Sequence, residues 1–292
     1  MKTIAILLTC HNRREKTISC LKSLYKSTLP EGYQFDVYLV DDGSTDGTRE
    51  SIETLFPEVN VIVGNGNLFW AGGMRLAWNT AIKVKEYDAY ILINDDVILE
   101  QDFINKLIKT ENYSIEKTRK KGIYAGATFD NQKKGKITYG GVRIIRNHFI
   151  LKTQKIYPNE FPQVCDMTNA NILWVSREVV NKIGIFDEKY THGIADYDYS
   201  RLAIENKIPV LLSPGIGGYC SDDHGVNWKT SNTKLKERIS YLRSPKGLAY
   251  HEYLYYIKKH FPLFLPYTFV MLWLKTLFPF FWEYFKNKSN EK

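Results

Sequence analysis

Cysteine is scarce in this 292-residue sequence: it occurs four times, and no two cysteines have the close spacing of a metal-binding pair. This scarcity excludes a zinc ribbon and a disulfide-stabilised secreted domain. One of the four, Cys10, falls in an apolar, strand-like run. We therefore expect reduced, mostly buried thiols in a cytosolic protein.

Internal repeats, low-complexity segments and a secretory signal are also lacking. The first apolar stretch, within residues 1–10, is only about eight residues long, is preceded by a single lysine and has no small-residue cleavage site. These features predict a first β-strand rather than a signal peptide. A chain of this length can bury a large core in one domain with an appendage.

An excess of acidic residues is missing as well, and the basic excess is confined to one region. Residues 1–228 contain 28 basic and 28 acidic side chains, whereas residues 229–292 contain 12 and 4. The net charge of +8 therefore belongs to the C-terminal tail. This asymmetry indicates that the tail meets an anionic partner.

Over the first 110 residues, short β-rich runs alternate with stretches of helical spacing. The predicted strands are 3–9, 35–40, 59–63 and 89–93, and the predicted helices are 16–26, 49–55, 74–85 and 101–110. Short strands follow between 122 and 158, then helices at 177–183 and 199–206 and a late strand at 209–213. This order predicts an α/β domain over residues 1–228, with a mostly parallel sheet covered by helices on both faces.

Polar side chains follow several of the predicted strands. Asp95 and Asp96 come directly after the strand that begins at Ala89, and Asp41 and Asp42 follow an earlier one. Because the carboxyl ends of parallel strands meet at one edge of a sheet, these carboxylates are expected to line one crevice. Adjacent carboxylates there could hold Mg²⁺ or Mn²⁺ through hard oxygen ligands. The alternative is that residues 94–96 form a turn with local backbone hydrogen bonds.

Several motifs occur in the order and spacing of the family 2 glycosyltransferases, which this chain resembles over residues 3–225. They are Thr9-Cys10-His11-Asn12-Arg13, Val40-Asp41-Asp42-Gly43-Ser44, Trp70-Ala71-Gly72-Gly73, Asn94-Asp95-Asp96, and Gly184-Ile185-Phe186-Asp187-Glu188 followed by Ala195-Asp196-Tyr197-Asp198. The resemblance implies a GT-A (Rossmann-like) fold and inverting transfer of a hexosyl or deoxyhexosyl unit from a nucleotide-diphosphate donor. The chain is similar in particular to rhamnosyltransferase-like members of bacterial polysaccharide assembly.

The resemblance places the donor at the carboxyl edge of the sheet. It implies that Thr9 and His11 flank the nucleoside, that Asp42 bonds the base, and that Asp95 lies near the ribose. His11 stands where the family usually has a tyrosine, and an imidazole can also stack on a base. The implied donor-binding residues are Thr9, His11, Asn12, Arg13, Asp42, Trp70, Gly72, Gly73, Arg75 and Asp95.

The resemblance also implies a divalent metal, Mg²⁺ or Mn²⁺, that bridges the donor diphosphate. Asp96 would bind this metal, with His224 as a further ligand. Asn94 replaces the first carboxylate of the family's DxD pattern, so the metal depends more on Asp96. The alternative for His224 is a solvated loop histidine beside Asp222 and Asp223.

Asp196 is implied as the base that takes the proton from the acceptor hydroxyl. The family has an acidic pair here, but this chain has Ala195 before Asp196, so Asp196 acts alone and Asp198 is the fallback. Asn171 is implied to touch the donor sugar or the acceptor hydroxyls. The alternatives are that Asp196 only caps the helix predicted from Tyr199, and that Asn171 belongs to a polar turn.

Gly72 and Gly73, between Trp70 and Arg75, are predicted to lie in a loop over residues 64–73 that closes over the donor. Glycine suits such a loop because it lets the backbone approach phosphates closely. The alternative is an ordinary loop before a helix, with Trp70 packed in the core.

The tail contains 22 residues, 261–282, with the single charge of Lys275. This length meets that of a membrane span, but prolines interrupt it and leave 267–278 as the uninterrupted helical piece. An interfacial element is therefore predicted, with Lys258, Lys259, Lys286 and Lys288 at anionic headgroups. The alternative is a helical hairpin packed on the domain or on a second copy of the chain. Nucleic acid is not expected, because the basic residues flank an apolar block.

These features together predict a transferase on the inner face of the cell membrane that extends a lipid-linked glycan of the cell envelope from a UDP- or dTDP-linked donor. A sugar nucleotidyltransferase is a competing hypothesis, which would require a glycine-rich basic signature after the first strand; residues 9–13 lack one. A sugar-nucleotide-binding protein without turnover is a second alternative, because Asn94 and Ala195 both replace acidic residues of the family pattern.

Overall fold

A computed structural model describes residues 1–147, 150–221 and 232–280 of the chain. These residues form two compact units. The first contains residues 1–145, 152–191 and 195–221, and the second contains 146–147, 150–151, 192–194 and 232–280. The predicted boundary after residue 228 and the predicted ligand His224 lie outside the described residues, as do Lys286 and Lys288.

Strands and helices alternate through the first part of the larger unit, as predicted. The elements are β1 (Lys2–Cys10), α1 (Arg14–Tyr25), β2 (Tyr33–Asp41), α2 (Thr48–Leu55), β3 (Asn60–Val63), α3 (Phe69–Val84), β4 (Ala89–Ile93), β5 (Ile98–Leu99) and α4 (Phe103–Thr118). Residues Ile4 to Cys10 of β1 are all buried, because alternate side chains of the strand meet different helices. One set packs with α1 in the main core, and Thr9 meets α3.

The second part of this unit contains mostly short strands, as the pattern between 122 and 158 predicts. They are β6 (Ile123–Phe129), β7 (Ile137–Tyr139), β8 (Gly141–Asn147), β9 (Ile150–Lys155), β10 (Gln163–Val164), β11 (Met167–Thr168) and β12 (Ile172–Ser176), followed by α5 (Arg177–Ile183), α6 (Ala195–Glu205) and β13 (Val210–Tyr219). The cysteines are all buried and no disulfide joins them.

The central sheet is mixed, with strand order β10-β13-β6-β12-β4-β1-β2-β3, and β5 and β7 pair with β13 and β6. The run β4-β1-β2-β3 is parallel, and Cys10 pairs with Asp41, so these strands end at the same edge. Strand β12 runs antiparallel to β4, and Ile172 pairs with Ile93. The start of β12 therefore lies beside the end of β4.

Two helices begin earlier than predicted. Helix α3 begins at Phe69 rather than at residue 74, and α6 begins at Ala195 rather than at residue 199. In α3 the difference arises from close packing: a Cβ on Gly73 would lie 2.1 Å from Thr9 Oγ1. Glycine here lets the first turns of the helix approach β1, so packing outweighs its low helix propensity.

The smaller unit contains the helices α7 (Leu235–Arg243), α8 (Tyr250–His260) and α9 (Leu265–Leu277), with a short 3₁₀ turn before α9. Leu242, Tyr250 and Leu272 form its small core. Pro266 does not break α9, because it lies in the first turn, where the missing N–H is not needed. Within the ranges described, no helix combines the length and the apolar content that a bilayer crossing requires.

The contact between α3 and β1 predicts that alanine is tolerated less well at Gly73 than at the neighbouring Gly72. Gly73→Ala forces a methyl group into Thr9 and is expected to lower the free energy of unfolding by about 1–3 kcal/mol. Gly72→Ala is the matched control, since its Cβ would lie 3.3 Å from the nearest atom, in the side chain of Leu68. Urea unfolding of both variants measures the difference, and equal stabilities would contradict it.

Candidate active site

Arg13 joins the two carboxylates that follow β4. Its Nη1 donates to Asp95 Oδ1 at 2.9 Å and to Asp96 Oδ2 at 3.1 Å. Thr17 Oγ1 also donates to Asp95, at 3.4 Å. Two adjacent, largely buried carboxylates would repel each other, so this shared guanidinium is what lets both lie at the end of one strand.

The two carboxylates differ in exposure. Burial raises the pKa of Asp95 to about 6, with Arg13 acting to lower that pKa and Asp96 acting to raise it. The side chain of Asp96 is 12% exposed. A cavity of about 260 Å³ opens beside Asp96, lined also by Lys16 and Ser19 of α1. Asp96 is therefore the carboxylate that a ligand can reach.

The donor set around Asp96 fits a divalent cation that is held together with a bound diphosphate. Asp95 and Asp96 supply hard oxygens, and Mg²⁺ is commonly bound by one or two carboxylates plus substrate phosphates. The guanidinium of Arg13 already takes the cation position between their oxygens. In the parts of the chain that the structure describes, no cluster of three acidic, histidine or cysteine ligands occurs. The remaining ligands would therefore come from the substrate and water.

The turns after β1 and β2 are joined by the predicted donor residues His11 and Asn12. His11 Nδ1 donates to the backbone oxygen of Asp42 at 2.6 Å, since a carbonyl can only accept. Asn12 accepts from the backbone N–H of Thr45 at 2.7 Å through its Oδ1. Both side chains are exposed at the sheet edge. Their roles at a nucleoside stay predictions. The exposed side chain of His11 is accessible from solvent.

Asp42 organises the segment that leads into α3. Its Oδ1 accepts from Gly66 N at 2.8 Å, and its Oδ2 accepts from Leu68 N at 2.9 Å and Phe69 N at 3.0 Å. Gly66 has φ +82°, a left-handed conformation that glycine adopts readily. The Asp42 carboxylate therefore satisfies backbone donors before α3, and bonding to a base stays a prediction.

The prediction that Gly72 and Gly73 lie in a loop over the donor is wrong, because both are buried within α3. Gly73 faces Thr9, which is itself buried. Glycine is favoured both in a short loop and in a closely packed helix. The Gly-Gly pair alone therefore could not show which of these two structures the segment adopts. The physical reason for the outcome is the approach of α3 to β1.

Trp70 and Arg75, also predicted at the donor, bond to protein groups instead. Trp70 Nε1 donates to Asn94 Oδ1 at 2.8 Å, and its ring lies 5.5 Å from that of Phe186. Arg75 Nη1 donates to the backbone oxygens of Asp187 and Tyr190. Trp70 is only half-buried, and the roles of Trp70 and Arg75 at the donor stay predictions. Asn94 stands at the first position of the DxD pattern, and its side-chain oxygen accepts this hydrogen bond.

Asp196 lies in the first turn of α6, where main-chain donors hold its carboxylate. Oδ2 accepts from Ala170 N at 3.1 Å, and Oδ1 accepts from Tyr197 N at 2.8 Å. Burial raises the pKa of Asp196 to about 6, despite these hydrogen bonds. The interpretation as a cap before Tyr199 is wrong, because the helix already begins at Ala195. A carboxylate with a pKa near neutrality is suited to accept a proton.

Asp198, the fallback base, is 1% exposed, and its Oδ1 accepts from the hydroxyl of Tyr190 at 2.7 Å. Its burial leaves Asp196 as the more exposed carboxylate of this helix turn.

Asn171 lies between the two acidic groups. Its backbone oxygen accepts from Asn94 N at 3.1 Å, and the preceding residue, Ala170, donates to Asp196. The segment that carries Asp95 and Asp96 is therefore linked to Asp196 through residues 170 and 171, by one backbone–backbone hydrogen bond and one from a backbone N–H to the Asp196 carboxylate. Asn171 is buried, and its Nδ2 lies 3.9 Å from Cys220 Sγ.

Cys220 is a site residue that the sequence patterns missed. It directly follows β13, and its Sγ lies 3.4 Å from Asp96 Oδ1 as a weak donor. The same signal that identified Asp42 and Asp96, a polar group just after a strand, could have identified Cys220.

The ion pairs of Arg13 predict a pH-dependent effect of their removal. Arg13 lowers the pKa of Asp95, so Arg13→Met raises that pKa further above the unfolded value near 4. A raised carboxyl pKa weakens folding as the pH rises through it. We expect Arg13→Met to be about 1 kcal/mol more destabilising at pH 8 than at pH 5, since Arg13 is 38% exposed and solvent screens the pair.

Urea unfolding at the two pH values measures this difference. Arg14→Met is the matched control, because Arg14 is the exposed neighbouring arginine and begins α1. A pH-independent effect of Arg13→Met would contradict the assigned role of the ion pairs.

Comparisons with known proteins agree with this arrangement. The family model described as "Glycosyl transferase family 2" matches residues 5–183. Among curated proteins, none matches the sequence.

Solved structures of glycosyltransferases share the fold at low sequence identity. S. aureus TarS 1-349 in complex with UDP-GlcNAc is 14% identical, with a TM-score of 0.53, over 90% of this chain and 73% of that chain. The mannosyltransferase PcManGT from Pyrobaculum calidifontis, in complex with GDP-Man and Mn²⁺, is 12% identical, with a TM-score of 0.52, over 90% and 72%. A second TarS 1-349 structure is 15% identical, with a TM-score of 0.50. This match covers 76% of the present chain and 60% of the TarS chain.

The match to the family model covers more than half of the chain. The matched residues include most strands of the central sheet and the strand-end carboxylates Asp42, Asp95 and Asp96. The GT-A fold predicted from the sequence is confirmed. The chain belongs to glycosyl transferase family 2 and is a glycosyltransferase.

Proposed function

We propose that this glycosyltransferase is an inverting, metal-dependent enzyme that moves a hexosyl or deoxyhexosyl unit, of the rhamnosyl type, from a UDP- or dTDP-linked donor to a saccharide hydroxyl. The observation that carries the proposal is the main-chain link between two acidic groups, from Asn94 through Asn171 and Ala170 to Asp196. One group suits a diphosphate-bound cation, and the other suits a proton acceptor. Sugar transfer from a nucleotide donor needs both.

In this proposal Asp196 takes the proton from the acceptor hydroxyl as the hydroxyl oxygen attacks the anomeric carbon. The bond from that carbon to the diphosphate breaks on the opposite face, so the configuration inverts. A pKa of about 6 keeps Asp196 ionised at neutral pH, yet basic enough to bind the proton in the transition state. Ala170 and Tyr197 hold the carboxylate in place.

Asp96, the carboxylate that a ligand can reach, would hold Mg²⁺ or Mn²⁺ together with the donor diphosphate. Such a cation supplies Lewis-acid stabilisation of the negative charge on the departing diphosphate. Two solved relatives support a donor of this class, because TarS was solved with UDP-GlcNAc and PcManGT with GDP-Man and Mn²⁺. Arg13, within hydrogen-bond distance of both carboxylates, would add a second positive charge beside the phosphates.

The acceptor in this proposal is a lipid-linked glycan of cell-envelope polysaccharide, and the smaller unit meets an anionic membrane surface on the cytoplasmic side. Support comes from α9, where Tyr267, Val270, Leu274 and Leu277 recur at spacings of three and four residues and are all exposed. An exposed apolar stripe of this kind indicates an interaction surface. A groove of about 570 Å³ between α8 and α9 continues it, and Lys258 lies at its edge.

Transfer and donor binding separate this proposal from a sugar-nucleotide-binding protein without turnover. Asp196→Asn removes the base, so kcat is expected to fall by about 10²–10⁴ while donor binding is retained. Thermal shifts with a panel of nucleotide sugars and Mn²⁺ measure binding, since a bound donor stabilises the fold by mass action. The native kcat/KM is expected to fall about tenfold per pH unit below pH 6, as Asp196 of the unliganded enzyme becomes protonated.

The matched control is Asp102→Asn, which neutralises an exposed carboxylate at the start of α4. Unchanged transfer by Asp196→Asn would overturn the base assignment. Donor binding without transfer to any lipid-linked acceptor would favour the binding protein.

The apolar stripe of α9 generates a separate prediction. Leu274→Glu places a charge within the stripe and is expected to weaken co-sedimentation with vesicles of phosphatidylglycerol and phosphatidylcholine at least about tenfold. Ser240→Glu on α7 adds the same charge at an exposed polar position and serves as the control. If Leu274→Glu instead converts a dimer to a monomer on size exclusion and leaves vesicle binding unchanged, a second copy covers the stripe.

A further inference from the structure

Arg75 fixes the turn that precedes α6. Its Nη1 donates to the backbone oxygen of Tyr190 at 2.7 Å and to that of Asp187 at 3.1 Å. Tyr190 N in turn donates to the oxygen of Asp187 at 3.2 Å, which closes the turn. One guanidinium thus holds both ends of this turn and attaches it to α3.

The neighbouring backbone strengthens the attachment. Ala71 N of α3 donates to the oxygen of Thr191 at 3.1 Å. Gly73, in the same turn of α3, packs against Thr9 of β1. The segment 187–191 is therefore tied to the helix that packs directly on the central sheet.

Tyr190 connects this turn to α6 through its side chain. Its side chain is fully buried, and its hydroxyl donates to Asp198 Oδ1 at 2.7 Å. A buried carboxylate is held firmly by such a charge-assisted hydrogen bond, because no water competes for it. Asp198 follows Asp196 by two residues in the first turn of α6.

We propose that Arg75, Tyr190 and Asp198 form a brace that positions the Asp196 carboxylate. The three residues act through Asp196 and are positioning residues. This inference rests on the proposed function, in which Asp196 is the base. The hydrogen bonds from Ala170 and Tyr197 orient the carboxylate itself, and the brace fixes the helix end that carries it.

The brace predicts an effect on chemistry rather than on donor binding. A displacement of about 1 Å at a reacting group can reduce the rate by about 10². Tyr190→Phe removes only the hydroxyl, so kcat is expected to fall at least about tenfold with the donor KM within about twofold of native. Tyr38→Phe is the matched control, because Tyr38 is a buried tyrosine whose hydroxyl lies 2.8 Å from that of Tyr87.

A double-mutant cycle distinguishes positioning from general damage. If the brace acts through Asp196, the loss caused by Tyr190→Phe disappears in an Asp196→Asn background, because no base remains to be displaced. An equal loss of kcat in both backgrounds would overturn the brace. So would a loss in Tyr38→Phe as large as that in Tyr190→Phe.

Variants at the other two positions test the same inference if Tyr190→Phe fails to fold. Asp198→Asn keeps an oxygen that accepts from Tyr190 and is expected to retain more kcat than Asp198→Ala, whereas equal losses would indicate that the charge of Asp198 matters instead. Arg75→Lys keeps a single donor head and is expected to retain more kcat than Arg75→Met. If Asp196→Asn alone leaves kcat unchanged, the proposed base fails rather than the brace geometry.

Discussion

The ion pairs of Arg13 with Asp95 and Asp96 are the interaction on which the arrangement of the strand ends depends. Two adjacent carboxylates at the end of a buried strand would be unfavourable without a shared cation, and a guanidinium presents its donors in a fixed plane. Arg13 reaches both from the turn after β1. The pairing therefore joins the ends of β1 and β4, two neighbouring strands of the parallel run. A single positive charge only partly offsets the negative charge of the two carboxylates.

Helix α3 is the second constraint, because it connects the strand ends of the sheet to the turn that precedes α6. At its start, the backbone N–H of Phe69 donates to the Asp42 carboxylate. Along its first turns, the helix contacts Thr9, Asn94 and the turn at Tyr190. Close packing of Gly73 makes these contacts mutually dependent. Features that suggested a flexible clamp over a ligand thus belong to a rigid support.

The sequence patterns predicted the regular elements and the edge of the sheet at which polar groups meet, because hydrophobic periodicity reports which faces are buried. They placed Asp42, Asp96 and Asp196 correctly at or near the carboxyl ends and at a helix start. They misplaced the starts of α3 and α6, since glycine and short polar residues weaken helix propensity locally and only tertiary packing restores it. The hydrogen-bond partners of Trp70 and Arg75 could not be predicted, because they are main-chain or amide groups that no spacing reveals.

By itself, the sequence determined the α/β order, the family and the residues gathered at the strand ends, because these follow from local hydrophobic pattern and motif order. Only the tertiary structure decided which polar groups hydrogen-bond to each other. Asp196 meets Ala170, Arg75 meets Tyr190 and Arg13 meets Asp95, and each pair joins segments that are distant in the chain. Hydrogen bonds of this kind require both groups to be within about 3 Å, and that proximity is set by how strands and helices pack, which a linear pattern does not contain.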